Sequence, residues 1–123
     1  MDLLFTVLTI LVALEHLGIM ALEIWGQPER QAKVFGMPLR FVQEPHARIA
    51  LANQGIYNGM LGLALLGNLW LLAGQPQHLA IALLLLFIVV VALFGSLTAK
   101  HEIFWLQGCP ALVTLLVLLI FEL

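Results

Sequence analysis

The chain has 123 residues, of which 63% are hydrophobic and 10% charged, with a formal net charge of −2 and a mean hydropathy of +1.07. A soluble domain is about 45–50% apolar and about 25% charged, so this composition excludes a soluble globular protein and a disordered chain. Five Lys and Arg residues in all cannot build the basic stripe that nucleic acid requires, which leaves a membrane protein.

A helix needs about 20 mostly apolar residues to cross a hydrocarbon core of about 30 Å, and four segments qualify. The first runs from Leu3 to Trp25 and carries Glu15, His16 and Glu23. It follows Met1-Asp2 directly, with neither a basic leader nor a small-residue cleavage site, so it is expected to be retained as a span. In the connection that follows, Pro28 suits a helix start, Glu29 its first turn, and Gly36 its stop. Met37, Leu39, Phe41 and Val42 come next among charged residues. This pattern predicts a short amphipathic helix and an apolar strap on the membrane surface, with an ordinary loop as the alternative.

The second span is expected over residues 47–73, opening at Pro45 or Ile49, the third over 79–97 and the fourth over 103–121. Gly74-Gln75-Pro76-Gln77 is read as the turn between the second and third, and the stretch from Thr98 to Glu102 as the turn between the third and fourth. Because every backbone polar group in lipid needs an internal partner, the fold class is all-α, a four-helix membrane bundle in one domain over 1–123. His46, His78 and His101 are expected at the surface. Cys109 has no second cysteine to pair with and is read as a packing residue, with Pro110 starting or kinking the last span.

All five basic residues, Arg30, Lys33, Arg40, Arg48 and Lys100, lie in or beside the first and third connections. The positive-inside rule then predicts that both connections are cytoplasmic and both termini outside, as expected of a multi-pass protein of a plasma membrane. Trp25, Trp70 and Trp105 fall near span ends, as interfacial aromatics do.

Polar residues within the spans concentrate on that same side. At 1.5 Å per residue, Glu15 and His16 lie about 13–15 Å from Trp25, and Tyr57 and Asn58 about 14–15 Å from Arg48. Asn53 and Gln54 are at about 8–9 Å, and Gln107 is about 6 Å beyond Ile103. Asn53, Gln54, Tyr57 and Asn58 form one stripe of the second span, and Gly55, Gly59 and Gly62 form a small-residue face opposite. Such a glycine face admits a close neighbour, either the third span or a second copy in a homodimer. A carboxylate at the depth of Glu15 costs at least about 2.5–3.5 kcal/mol to insert, so it calls for a partner or a task.

No serine nucleophile, phosphate loop or cofactor motif is present, and the Glu-x-x-His spacing of di-metal bundles is missing, so neither cofactor nor metal is expected. The stretches Ala13-Leu14-Glu15-His16, Leu22-Glu23, Phe35-Gly36, Leu51-Ala52-Asn53-Gln54-Gly55-Ile56-Tyr57-Asn58-Gly59 and Gln107-Gly108-Cys109-Pro110 together resemble a family of small four-helix membrane proteins, domain of unknown function 1304. The resemblance covers nearly the whole chain and implies a bacterial plasma-membrane protein of four helices; it brings no activity and no site residues.

Three functional readings stay open. In the first, an intramembrane pocket facing the cytoplasm binds a small lipophilic molecule. Glu15 and His16 act on it as acid and base, and Glu23, Asn53, Gln54, Tyr57, Asn58 and Gln107 orient its head. In the second, Glu15 couples protons to transport by a dimer. In the third, the polar cluster only locks the helices of a scaffold or accessory subunit.

Overall fold

The computed structural model describes residues 3–123, and these are helical almost throughout, with no strand among them. In chain order they are α1 (Leu3–Trp25), α2 (Pro28–Phe35), α3 (Leu39–Val42), α4 (Pro45–Leu71), α5 (Gly74–Thr98) and α6 (Cys109–Phe121), with a π-helical turn at Phe104–Gly108 leading into α6. Four segments, α1, α4, α5 and Phe104–Phe121, are each long and apolar enough to cross a membrane. The chain is therefore built as a multi-pass helical membrane protein. Large apolar side chains such as Leu83, Phe94, Leu97 and Ile120 stand exposed along the helices for contact with lipid.

The first connection folds as its punctuation predicts. Pro28 opens α2, and Gly36, at φ 66°, closes it in the left-handed conformation, where a side chain would be strained. The third span differs from expectation. Gln75, Pro76 and Gln77 form the first turn of α5 rather than a loop, because an amide there has no helical acceptor and proline loses nothing by lacking one. The link between α4 and α5 shrinks to Leu72 and Ala73. As a result His78, expected at the surface, is buried, with the Phe5 ring edge-on at 5.8 Å and Glu122 Oε2 at 3.6 Å. His46 and His101 are exposed.

Packing is closest between α1 and α4, and the glycine face explains it. A Cβ on Gly62 would lie 2.7 Å from the Ala13 carbonyl oxygen, one on Gly55 would lie 2.8 Å from Ile24 Cγ1, and one on Gly59 would run into Met20 Sδ. The neighbour of Gly55, Gly59 and Gly62 is thus α1 of the same chain, neither the third span nor a second copy. A homodimer has to use another surface, since this one is covered.

The bundle is divided along its length. The apolar core of Phe5, Val12, Leu65, Leu69, Ile81, Leu85, Leu115 and Leu118 fills the half nearest the α4–α5 link. Three polar side chains in that half, Thr9, Asn68 and Thr114, bond to carbonyls four residues back in the chain, and Gln77 bonds to carbonyls at the end of α4. The other half, toward the first and third connections, holds the cavities described next. Lys100 ties those two connections together, its Nζ donating to the Lys33 and Val34 carbonyls at 3.1 and 3.4 Å.

Candidate functional site

Close approach of α1 and α4 at Gly62 sets His16 in the bundle interior, 1% exposed. Its Nδ1 donates to the Val12 carbonyl at 2.9 Å. Since a carbonyl only accepts, the proton of a neutral ring sits on Nδ1 and Nε2 keeps its lone pair. His16 lines a cleft of about 340 Å³ between α4 and α5, where Gln54, Tyr57, Asn58 and Gln107 supply further polar groups and Leu61, Phe87, Ile88 and Val91 an apolar wall. The α4–α5 packing is far looser than that of α1 on α4. Tyr57 (74% exposed) and Phe87 (56%) stand at the rim, so the cleft opens sideways on the lipid-facing surface.

A second cavity of about 210 Å³ shares Gln54, Asn58, Val91 and Gln107 with the first. Phe35 and Met37 of the first connection form part of its lining, together with Glu23. Asn58 Nδ2 donates to Glu23 Oε1 at 2.5 Å, joining α4 to α1. Glu15 lies in a third and smaller cavity of about 130 Å³, among Ile19, Leu22, Val34, Phe35, Ile103, Leu106 and Gln107. Gln107 lines all three cavities.

Glu15 and His16, expected to work as a pair, therefore open onto different cavities. Successive residues of an α-helix point about 100° apart, and that angle carries one toward α2 and the other toward the cleft. Asn53 is exposed and stands outside the lining of all three cavities. Glu23, Gln54, Tyr57, Asn58 and Gln107 are brought together with His16 around the first two.

Several supporting residues are not evident from sequence patterns. Gln31, in what reads as a surface helix, is completely buried. Its Nε2 donates to the Leu22 and Glu23 carbonyls at 2.7 and 3.1 Å, and its Oε1 accepts from Arg48. Gln31 thus fixes the end of α1 that carries Glu23. The π-helical turn is a second such feature. Pro110 cannot donate in the first turn of α6, and Cys109 N–H reaches back to Phe104 O instead. Gly108 packs so tightly against Ala92 of α5 that a Cβ would lie 3.1 Å from the alanine methyl. The run Gly108-Cys109-Pro110 is the sequence signal for this distortion, which turns Gln107 inward.

Residues 10–119 match the family model described as protein of unknown function (DUF1304), and the chain belongs to that family. It is 36% identical over 117 residues to the uncharacterised protein YpaA of Lactococcus lactis subsp. lactis (strain IL1403), an alignment covering 94% of this chain and 97% of that one. No solved structure matches.

Proposed function

We propose that the chain binds a small lipophilic molecule in the cleft between α4 and α5, its head among His16, Gln54, Asn58 and Gln107 and its tail against Leu61, Phe87 and Val91. The observation that carries this reading is the convergence of uncharged polar side chains from α1, α4 and the π-helical turn on an otherwise apolar cleft, in the half of the bundle that lacks the packed core. Binding sites for small molecules have this make-up, an apolar enclosure with a few convergent polar groups, and volumes of about 300–1,000 Å³. Acid–base chemistry on the occupant would fall to His16, whose Nε2 faces the cleft; Glu15 would act on it only through Gln107. With all five basic residues at the end formed by the first and third connections, we infer that this end is cytoplasmic, so that the cleft draws on the inner leaflet of a bacterial plasma membrane.

Native mass spectrometry of protein released from mild detergent tests the reading, with Val91→Trp as the variant that fills the cleft. A defined adduct on the native chain that is absent from the variant supports a ligand. Bare protein in both, together with no uptake of added lipophiles, refutes it.

The Asn58–Glu23 bond favours a second reading, in which the polar groups serve only to hold α1 to α4. On that reading Asn58→Leu lowers stability and Val91→Trp changes no adduct.

A further inference from the structure

The hydrogen-bonding pattern of the cleft restricts the head group of its occupant. His16 Nδ1 is engaged by Val12, and Nε2 has no protein partner among the described residues. No fully enclosed side-chain nitrogen or oxygen among those residues goes unpaired, so Nε2 reaches the cleft surface, and as the lone-pair atom of a neutral ring it accepts. Asn58 gives one amide N–H to Glu23 and keeps the second, and its oxygen is another acceptor. Gln54 and Gln107 carry amide donors, and no Lys or Arg lines the cleft. A carboxylate or phosphate head would find amide and phenol donors but no cation in the wall to balance it, at a depth where an unpaired charge is expensive, and it would face the lone pair of His16 Nε2. A hydroxyl suits the same wall, donating through its proton and accepting at its oxygen from a glutamine amide.

Building on the pocket reading above, we propose that the cleft takes a single-chain lipophile with a neutral hydroxyl head, its O–H donating to His16 Nε2, admitted from the bilayer between α4 and α5. The cleft volume of about 340 Å³ lies near the lower end of small-molecule sites, which span about 300–1,000 Å³. That is room for one short chain and too little for a two-chain phospholipid. The exposed rim at Tyr57 and Phe87 lets a longer tail run out into lipid.

The test uses methyl-labelled protein in phosphatidylcholine nanodiscs, titrated separately with 1-decanol, decyl methyl ether and decanoate. Occupancy is read at the methyl groups of Leu61, Ile88 and Val91, and the His16 ring is followed by nitrogen-15 shifts. We expect 1-decanol to saturate these methyl shifts and to move the Nε2 resonance as a hydrogen-bond acceptor. The ether, which has no proton to donate, should bind about three- to tenfold more weakly, the effect of one lost hydrogen bond. In His16→Phe the two should bind alike. Equal binding of alcohol and ether to the native chain overturns the hydroxyl assignment, as does tighter binding of decanoate, and both leave the pocket intact. The native-chain comparison decides the matter even where His16→Phe fails to fold. If none of the three probes moves the wall methyls, the pocket reading falls, and the hydroxyl assignment with it.

Discussion

Gly62→Ala is the most direct perturbation of the scaffold that carries the site. The added Cβ would lie 2.7 Å from the Ala13 carbonyl oxygen, a backbone atom that no rotamer change can move. An ordinary carbon–oxygen contact is about 3.3–3.6 Å, so α1 and α4 have to part locally by about 0.6–0.9 Å. Overpacking of this kind costs about 1–3 kcal/mol, set against a helix-propensity gain of about 1 kcal/mol for replacing glycine by alanine. Gly67→Ala in the same helix provides the control, because the added methyl meets only Leu71 Cδ1 at 3.9 Å. The propensity term is common to both, so the difference between the two variants isolates the steric term and should be about 1–3 kcal/mol in favour of Gly67→Ala. Gly18→Ala, with nothing within 4 Å, should behave like Gly67→Ala. Reversible unfolding in mixed micelles, titrated with sodium dodecyl sulfate and followed by circular dichroism, measures all three. Equal stability of Gly62→Ala and Gly67→Ala would mean that α1 and α4 are not in backbone contact, and the placement of His16 would lose its basis.

Three further outcomes follow from the hydrogen bonds at the helix ends. Gln31→Leu removes the donor to two α1 carbonyls and the acceptor for Arg48; about 1–3 kcal/mol should be lost in the same titration, and no loss would contradict the clamp. Lys100→Met removes a half-buried cap from the Lys33 and Val34 carbonyls; a cost under about 1 kcal/mol is expected, with faster amide exchange confined to α2. Exchange that accelerates across the whole chain would show instead that this tie holds the bundle together. Gln77→Leu deprives three carbonyls, of Asn68, Leu69 and Leu72, of one shared donor; it should destabilise about as much as Gln31→Leu, with no change in uptake of lipophiles at the distant cleft.

What could be read from the sequence follows from what lipid demands. Span number and approximate ends are fixed by the length of an apolar helix, and Pro28 and Gly36 bracket α2 because backbone geometry leaves few alternatives. Periodicity also separates the polar and glycine faces of α4. It does not say which helix a face meets, and Gly55, Gly59 and Gly62 turn out to meet α1. Gln31 is invisible to patterns because a polar residue on a short helix reads as solvated, whereas its burial arises only when α2 folds back under the end of α1. Asn53 shares a stripe with Tyr57 and Asn58, but Leu51 and Gln54 on either side of it line the second cavity while Asn53 itself is exposed, so it misses the cavities by its angle on α4. The displacement of Gln107 depends on a π-helical turn, which shifts residue register in a way that a constant angle per residue does not describe.

Gln77 does at one end of the bundle what Lys100 does at the other: each ties helix-terminal carbonyls with a single side chain. Lysine is electrostatically the better partner for a helix C-terminus, but it also acts as a signal during membrane insertion. With a neutral amide in the first turn of α5, closing that hairpin adds nothing to the positive charge on its side, and all five Lys and Arg remain at the opposite end. On the proposed orientation, glutamine at this position leaves the charge bias undisturbed. Gln77→Lys would keep nitrogen donors for the turn while setting a positive charge against the bias that orients the nascent protein.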